Sequence, residues 1–193
     1  DPVDSAGCAV TRAVPDLTQP AWRVAPRLLG CRLASATVTA VIAEVEAYHG
    51  TADLACHASK GRTPRAAGLW AAPGTLYIYL CYGMHDLLNL VCMREGFPAA
   101  VLIRGVVIDG IDTCRSNGPG KVTRLLGVAR AHHGTRLGDA TCPLRLLPPT
   151  APPGRRRRGA RVGIDYAGEP WRSKPWRWWL AGFPAAQIRN EVR

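Results

Sequence analysis

At 193 residues, 47% of them hydrophobic, the chain is sized for one domain with a real core, which excludes wholesale disorder. Lys and Arg total 25 against 14 Asp and Glu, a formal charge of +11, and apart from Lys60, Lys121 and Lys174 every one of those cations is arginine. A planar guanidinium fork suits phosphate, so a polyanion is the first partner to consider, nucleic acid ahead of a membrane surface; a GC-rich genome would enrich arginine equally well.

Asp16 to Leu33 opens the chain as a helical stretch. Asp16 is the candidate N-cap, Trp22, Ala25, Leu28 and Leu29 fall at helical spacing, and Pro20, Pro26 and Gly30 are expected to break it. Ala36 to Tyr48 alternates as a strand, with Glu44, Glu46 and Tyr48 on one face and Ala43, Val45 and Ala47 on the other. Gly50 to Pro73 is rich in Gly, Pro, Ala and Arg and reads as a long ordered loop, a length usually tied to function. Leu76–Leu80 and Leu87–Val91 form a predicted hairpin with Gly83 in its turn. Ala99 to Val107 is a further strand with the single charge Arg104. Gly118-Pro119-Gly120-Lys121 then leads into a short helix whose apolar side carries Leu125, Leu126 and Val128. Pro143 to Arg158 is turn-rich and ends in four arginines, an expected exposed loop. Arg161–Ile164 and Trp176–Leu180 close the chain as predicted strands.

No run approaches the roughly 18 apolar residues of a membrane span. Asp1 to Gly30 has no basic region followed by an apolar run, so no signal peptide is read, and a start on Asp1 suggests a trimmed or partial chain. Seven cysteines, odd in number and never spaced C-x-x-C, disfavour a zinc ribbon or a disulfide framework and point to a reducing compartment.

The run Glu44-Val45-Glu46-Ala47-Tyr48-His49-Gly50, His57, and Gly61-Arg62-Thr63-Pro64-Arg65 resembles the alkyladenine (3-methyladenine) DNA glycosylase family. The resemblance continues through Pro73 to Tyr79, Tyr82-Gly83-Met84-His85, Asn89, Val101 to Arg104, Asn117 to Lys121, Arg161 to Ile164 and Pro175-Trp176-Arg177. These segments keep the family's order from about Leu17 onward. The family has a longer helical stretch between the Arg104 strand and Asn117, where this chain has only Asp109 to Ser116, read as a surface truncation.

The resemblance implies an α+β fold. A single domain over residues 1–193 would carry a curved, mainly antiparallel sheet with flanking helices and a protruding β-hairpin, and residues 1–15 would be poorly ordered. It also implies hydrolysis of the C1′–N bond of a damaged purine. The oxocarbenium-like transition state of that step calls for a carboxylate that deprotonates a water. Glu46 matches the family's base; Glu44 shares its strand face, and the residues alone do not choose between them. Arg104 matches the arginine that helps hold the water and a nearby phosphate, and a charge in so apolar a strand needs a partner such as Glu46 or a phosphate.

Tyr48, His57 and Tyr79 match the aromatic walls around an extruded base; the alternatives are a Tyr79 packed in the core and a His57 that is an ordinary loop histidine. Asn89 matches the residue that obstructs the amino group of guanine, or else is a structural amide. Tyr82 matches the residue that intercalates where the base was, since a base in a duplex is reached only by flipping it out. Arg62, Arg65, Lys121 and the Arg155–Arg158 run are candidate phosphate contacts. Lys60 is read as solvated or phosphate-facing rather than as a Schiff-base amine, and the tryptophans Trp171, Trp176, Trp178 and Trp179 as packing groups.

Although His49, Cys56 and His57 are close in sequence, their spacing is poor for zinc; no metal and no organic cofactor are expected. The implied function is a monofunctional glycosylase acting on 3-methyladenine, hypoxanthine or ethenoadenine type bases in double-stranded DNA. It would be a monomer, intracellular in nucleoid, cytoplasm or nucleus, with no membrane partner. A catalytically inactive lesion- or nucleic-acid-binding protein is the alternative, and RNA is a third possible target.

Overall fold

The structure, a computed structural model, describes residues 13–185. Residues 1–12, with Cys8 and most of the segment 1–15, and residues 186–193 lie outside the described part.

The sheet is organised around its longest strand. This strand, β2 (Thr39–His49), pairs on one side with β5 (Ala99–Val107); on the other it pairs with β1 (Arg32–Ala34) through Thr39–Val41 and with β8 (Arg177–Leu180) through Glu44–Glu46. Beyond β5 lie β4 (His85–Val91) and β3 (Leu76–Cys81); beyond β1 lies β6 (Arg145–Leu147), and beyond β8 lies β7 (Arg156–Gly159). Every pairing is antiparallel. The β2–β5 register slips around Glu44, and a bulge of this kind adds local twist, which helps the sheet curl. The fold is therefore α+β with a curled antiparallel sheet, as expected.

Two helices cover the sheet. Ala21, Val24, Ala25 and Leu28 form the buried stripe of α1 (Ala21–Leu28), at the spacing a helix needs to present one face. Val122 and Leu126 do the same for α2 (Pro119–Leu126). Both stripes join Ile42, Val45, Leu76, Leu88, Leu90, Val101 and Ile103 in one core. Each fully buried Leu or Ile there contributes on the order of 1.5–3 kcal/mol.

Several expectations are corrected. Asp16 does not cap α1: its carboxylate accepts from the Thr18 N–H at 2.9 Å and the Thr18 hydroxyl at 2.7 Å, closing a turn, while Pro20 occupies the cap position. Pro26 lies inside α1 without ending it, the helix running on to Leu28. In α2 Leu126 is buried as expected, and Val128 just beyond the helix, but Val122 and Thr123 join them while Leu125 is only half-buried. Pro143–Arg158 is not all loop, since it contributes β6 and the start of β7. Arg161–Ile164 is not a strand. The predicted loop Gly50–Pro73 contains two short 3-10 turns, His57–Lys60 and Ala67–Trp70.

The β3–β4 hairpin forms as expected. Tyr82 and Gly83 both have positive φ, +50° and +72°, and the Met84 N–H donates to the Cys81 carbonyl at 3.2 Å. Two left-handed central residues match the strand twist of a hairpin, and only Gly takes that conformation without strain.

Candidate active site

A cavity of about 540 Å³ opens between the β3–β4 hairpin, the Gly50–Pro73 segment and the stretch after β7. Tyr48, His57, Tyr77, Tyr79, Asn89, Leu102, Arg104 and Val162 line it, with Tyr82 and Tyr166 among its lining residues as well.

The alternation of β2 sends Glu44, Glu46 and Tyr48 to one face, where two of the three are fully buried acids. Glu46 Oε1 accepts from the Val162 N–H at 2.8 Å, and its Oε2 accepts from the Tyr48 hydroxyl at 2.8 Å. Arg104 Nε stands 3.4 Å from Glu46 Oε1. All three partners of this carboxylate line the cavity while Glu46 itself does not, so the acid sits one side chain behind the wall. Burial opposes the charge of Arg104, but Glu46 and then Glu44 outweigh it and push its pKa up. The tyrosine hydroxyl of Tyr48 is held well above its usual range, by burial first and by Glu46 second.

The aromatic residues gather as a wall. His57 and Tyr79 meet edge to face at 4.5 Å between ring centres, and Tyr77 lies 5.5 Å from Tyr79. Tyr77 gives its only hydroxyl proton to the Arg65 carbonyl at 3.1 Å, so its oxygen must accept from His57 Nδ1, 2.8 Å away. Burial, with Arg65 and Lys60 adding to it, lowers the pKa of His57 to about 4. The ring is thus neutral at pH 7, with the proton on Nδ1 and Nε2 bare. Asn89 is buried, and its amide donates to the carbonyls of Tyr77 at 3.0 Å and Leu87 at 3.4 Å.

Arg161 braces the wall from behind. It stacks 4.8 Å from the Tyr48 ring and 5.3 Å from that of Trp176, and donates to the Ala47 carbonyl at 2.9 Å. It also grips Asp53, which is fully buried. Sequence reasoning gave neither residue a role. An arginine inside a stretch read as a strand and a lone aspartate inside a loop carry no pattern that would pair them.

A sequence model of the methylpurine-DNA glycosylase family matches residues 16–184. The chain belongs to that family. Among its relatives are proteins named "Putative 3-methyladenine DNA glycosylase" from Myxococcus xanthus and Frankia casuarinae. Each is 43% identical, the first over 84% of this chain and 86% of the relative, the second over 85% and 86%. One of the same name from Cutibacterium acnes is 38% identical over 88% of this chain and 95% of its own.

Around the cavity of this methylpurine-DNA glycosylase family member, the remaining expected residues fall at different places. Tyr82 projects from the hairpin tip, 86% exposed, beside exposed Met84. Arg65 is exposed, donates to the Leu80 carbonyl at 3.0 Å and lies 5.4 Å from the Tyr79 ring; Arg62 lies 6.0 Å from Trp70. Lys121 is exposed, yet its ammonium is already engaged by the Cys114 carbonyl at 2.7 Å and Asn117 Oδ1 at 3.1 Å. Lys60 is exposed at the end of its 3-10 turn. The Arg155–Arg158 run, expected as a loop, is exposed, with Arg156–Arg158 on strand β7. Trp171 and Trp176 pack together and Trp22 stacks on Trp176 at 5.5 Å, away from the cavity lining.

The short Asp109–Ser116 interval is closed by a 3-10 turn, Thr113–Arg115, whose first N–H groups include one capped by Asp112. The Gly118 N–H still reaches the Arg104 carbonyl at 2.9 Å, so the flanking geometry stays joined to β5. Among the described residues no group of three or more His, Cys, Asp or Glu side chains could hold a metal ion, and no helix is long and apolar enough to cross a membrane.

Proposed function

We propose that this chain is a monofunctional DNA glycosylase that extrudes alkylated or deaminated purines from double-stranded DNA and hydrolyses their glycosidic bond. The observation that carries this reading is the Glu46 carboxylate, fixed by Val162, Tyr48 and Arg104 immediately behind an aromatic cavity large enough for a purine. The extruded base enters between Tyr48 and the His57–Tyr79 wall. Stacking of this kind is worth roughly 1–3 kcal/mol per base, and a cationic base gains further from the ring faces. Asn89, tied to two carbonyls, stands rigid against a purine amino group.

Glu46 Oε2 keeps a lone pair beyond its bond to Tyr48 and takes a proton from a water. The water oxygen bonds to C1′ as the C1′–N electron pair leaves with the base. A cationic 3-methyladenine departs neutral by this route and needs no general acid. Tyr82 at the hairpin tip fills the gap in the stack, and Arg62, Arg65 and the remaining donor of Lys121 contact phosphates. One domain and one copy of the chain suffice for this, acting wherever the genome is housed.

The burial of Glu46 favours one rival, a lesion-binding protein without turnover. Single-turnover excision from duplexes carrying 3-methyladenine or hypoxanthine separates the two, and matched RNA duplexes decide the target. Glu46→Gln should slow release by about 100-fold or more while lesion binding stays within a few-fold. Full turnover by that variant would show that another group is the base.

A further inference from the structure

The reaction above leaves Glu44 unused, although it is as deeply buried as Glu46. Glu44 Oε1 accepts from Arg177 Nη1 at 3.1 Å and from Arg104 Nε at 3.4 Å. The same Arg104 nitrogen is the one that stands 3.4 Å from Glu46 Oε1. One guanidinium N–H is therefore placed between two carboxylates from a single strand face, its hydrogen bond made to Glu44 and its ion pair reaching both. The second oxygen of Glu44 is buried and has no hydrogen-bond partner among the described residues. Its surroundings are tightly set: a Cβ at Gly105 would come within 3.1 Å of the Glu44 Cβ and 2.5 Å of Phe183 Cε1. Stability is a poor reason to keep such a group, since buried ion pairs are often replaced by apolar side chains at no loss.

We propose that Glu44 is a positioning residue that, together with Arg177, fixes Arg104 beside Glu46 and so holds the carboxylate in the rotamer from which it meets the water. The proposal rests on Glu46 being the base. Glu44 touches neither the cavity nor the substrate; its effect passes through Arg104. Burial raises the Glu44 carboxyl above its usual range against the pull of Arg104 and Arg177; what sets it apart from Glu46 is its partners, since Glu46 bonds to Tyr48 and Val162 in the cavity wall and Glu44 to Arg177 outside it.

The test is single-turnover excision and lesion-duplex affinity for the full chain and for Glu44→Gln, Arg104→Ala and their combination, with Glu46→Gln as reference. Glu44→Gln should slow excision by about 10–100-fold, the order that a misplacement of about 1 Å costs, with affinity for the lesion duplex within two-fold of the parent. In the Arg104→Ala background the same change should add no further loss, because the two residues act as one unit. If Glu44→Gln does not fold, Glu44→Gln/Arg177→Met, which removes the pair together, is expected to fold and to show the same slowing. An inactive Glu46→Gln with Glu44→Gln at full rate overturns the role of Glu44 alone. Full additivity with Arg104→Ala does the same. A Glu46→Gln that turns over normally removes the base, and this proposal with it.

Discussion

Arg161 and Asp53, 108 positions apart, meet through two hydrogen bonds, Nη1 to Oδ2 at 2.6 Å and Nη2 to Oδ1 at 2.8 Å, with both side chains fully buried. The Asp53 Oδ2 also accepts from the His49 N–H at 3.2 Å, so the clamp pins the end of β2 where Tyr48 turns into the cavity. Burial opposes the charge on Arg161, and its bonds to Asp53 outweigh that penalty.

Removing one member leaves the other as an uncompensated charge in the interior. Asp53→Asn should therefore destabilise the fold by about 3–5 kcal/mol, which in a domain of this size lowers Tm on the order of 10 °C. Added salt should not restore it, because the pair is dry. Calorimetric melting at low and high salt checks both points, and an unchanged Tm would contradict them.

Tyr82 separates the fold from its use. It is almost fully exposed and sits at φ +50°, a conformation that glycine accepts freely. Tyr82→Gly should leave stability within about 1 kcal/mol, since relieved strain offsets the greater freedom of the unfolded chain. Excision from duplex DNA should nevertheless fall about ten-fold or more, because nothing then holds the gap left by a flipped base at a cost of a few kcal/mol. Excision from single-stranded DNA should change much less. Equal losses on the two substrates would argue against a wedge.

His57 gives a pH signature. Its pKa is about 4 in the folded chain against an ordinary 6.5, with burial the leading cause. As pH falls through 6.5 the unfolded chain takes up this proton and the folded chain does not. The contribution of neutral His57 to stability is thus complete above pH 6.5 and drains away between 6.5 and about 4. His57→Gln lacks that dependence. The stability of the parent relative to the variant should decline across this window and level off below it, as read from urea midpoints at successive pH values. His49, also lowered to about 4 by burial, is present in both chains and cancels.

Local pattern located the strands that carry most of the site. The apolar runs Leu76–Leu80 and Leu87–Val91 on either side of Gly83 marked the hairpin, and the β2 pattern put Glu44, Glu46 and Tyr48 on one face. What escaped was set by distant partners. The sequence around Arg161 alternates like a strand, but the pull of Asp53 and the Val162 N–H on Glu46 hold it in an irregular path. The four arginines read as loop because a solvated edge strand has no apolar face to betray it. The sharing of Arg104 between two acids lies beside a register slip at Glu44, which alternation does not encode. Lys121 looked free for phosphate only because its loop acceptors are brought to it by the turn at Thr113–Arg115.

Strand β7 ends the sheet on one side, with β8 as its single strand neighbour among the described residues. The outer margin of a sheet can recruit another copy by strand pairing. Here that margin carries Arg156, Arg157 and Arg158, preceded by Arg155, all exposed. A second molecule arriving in the same register would bring its own row of cations against this one. Like charges facing each other would thus oppose edge-to-edge polymerisation.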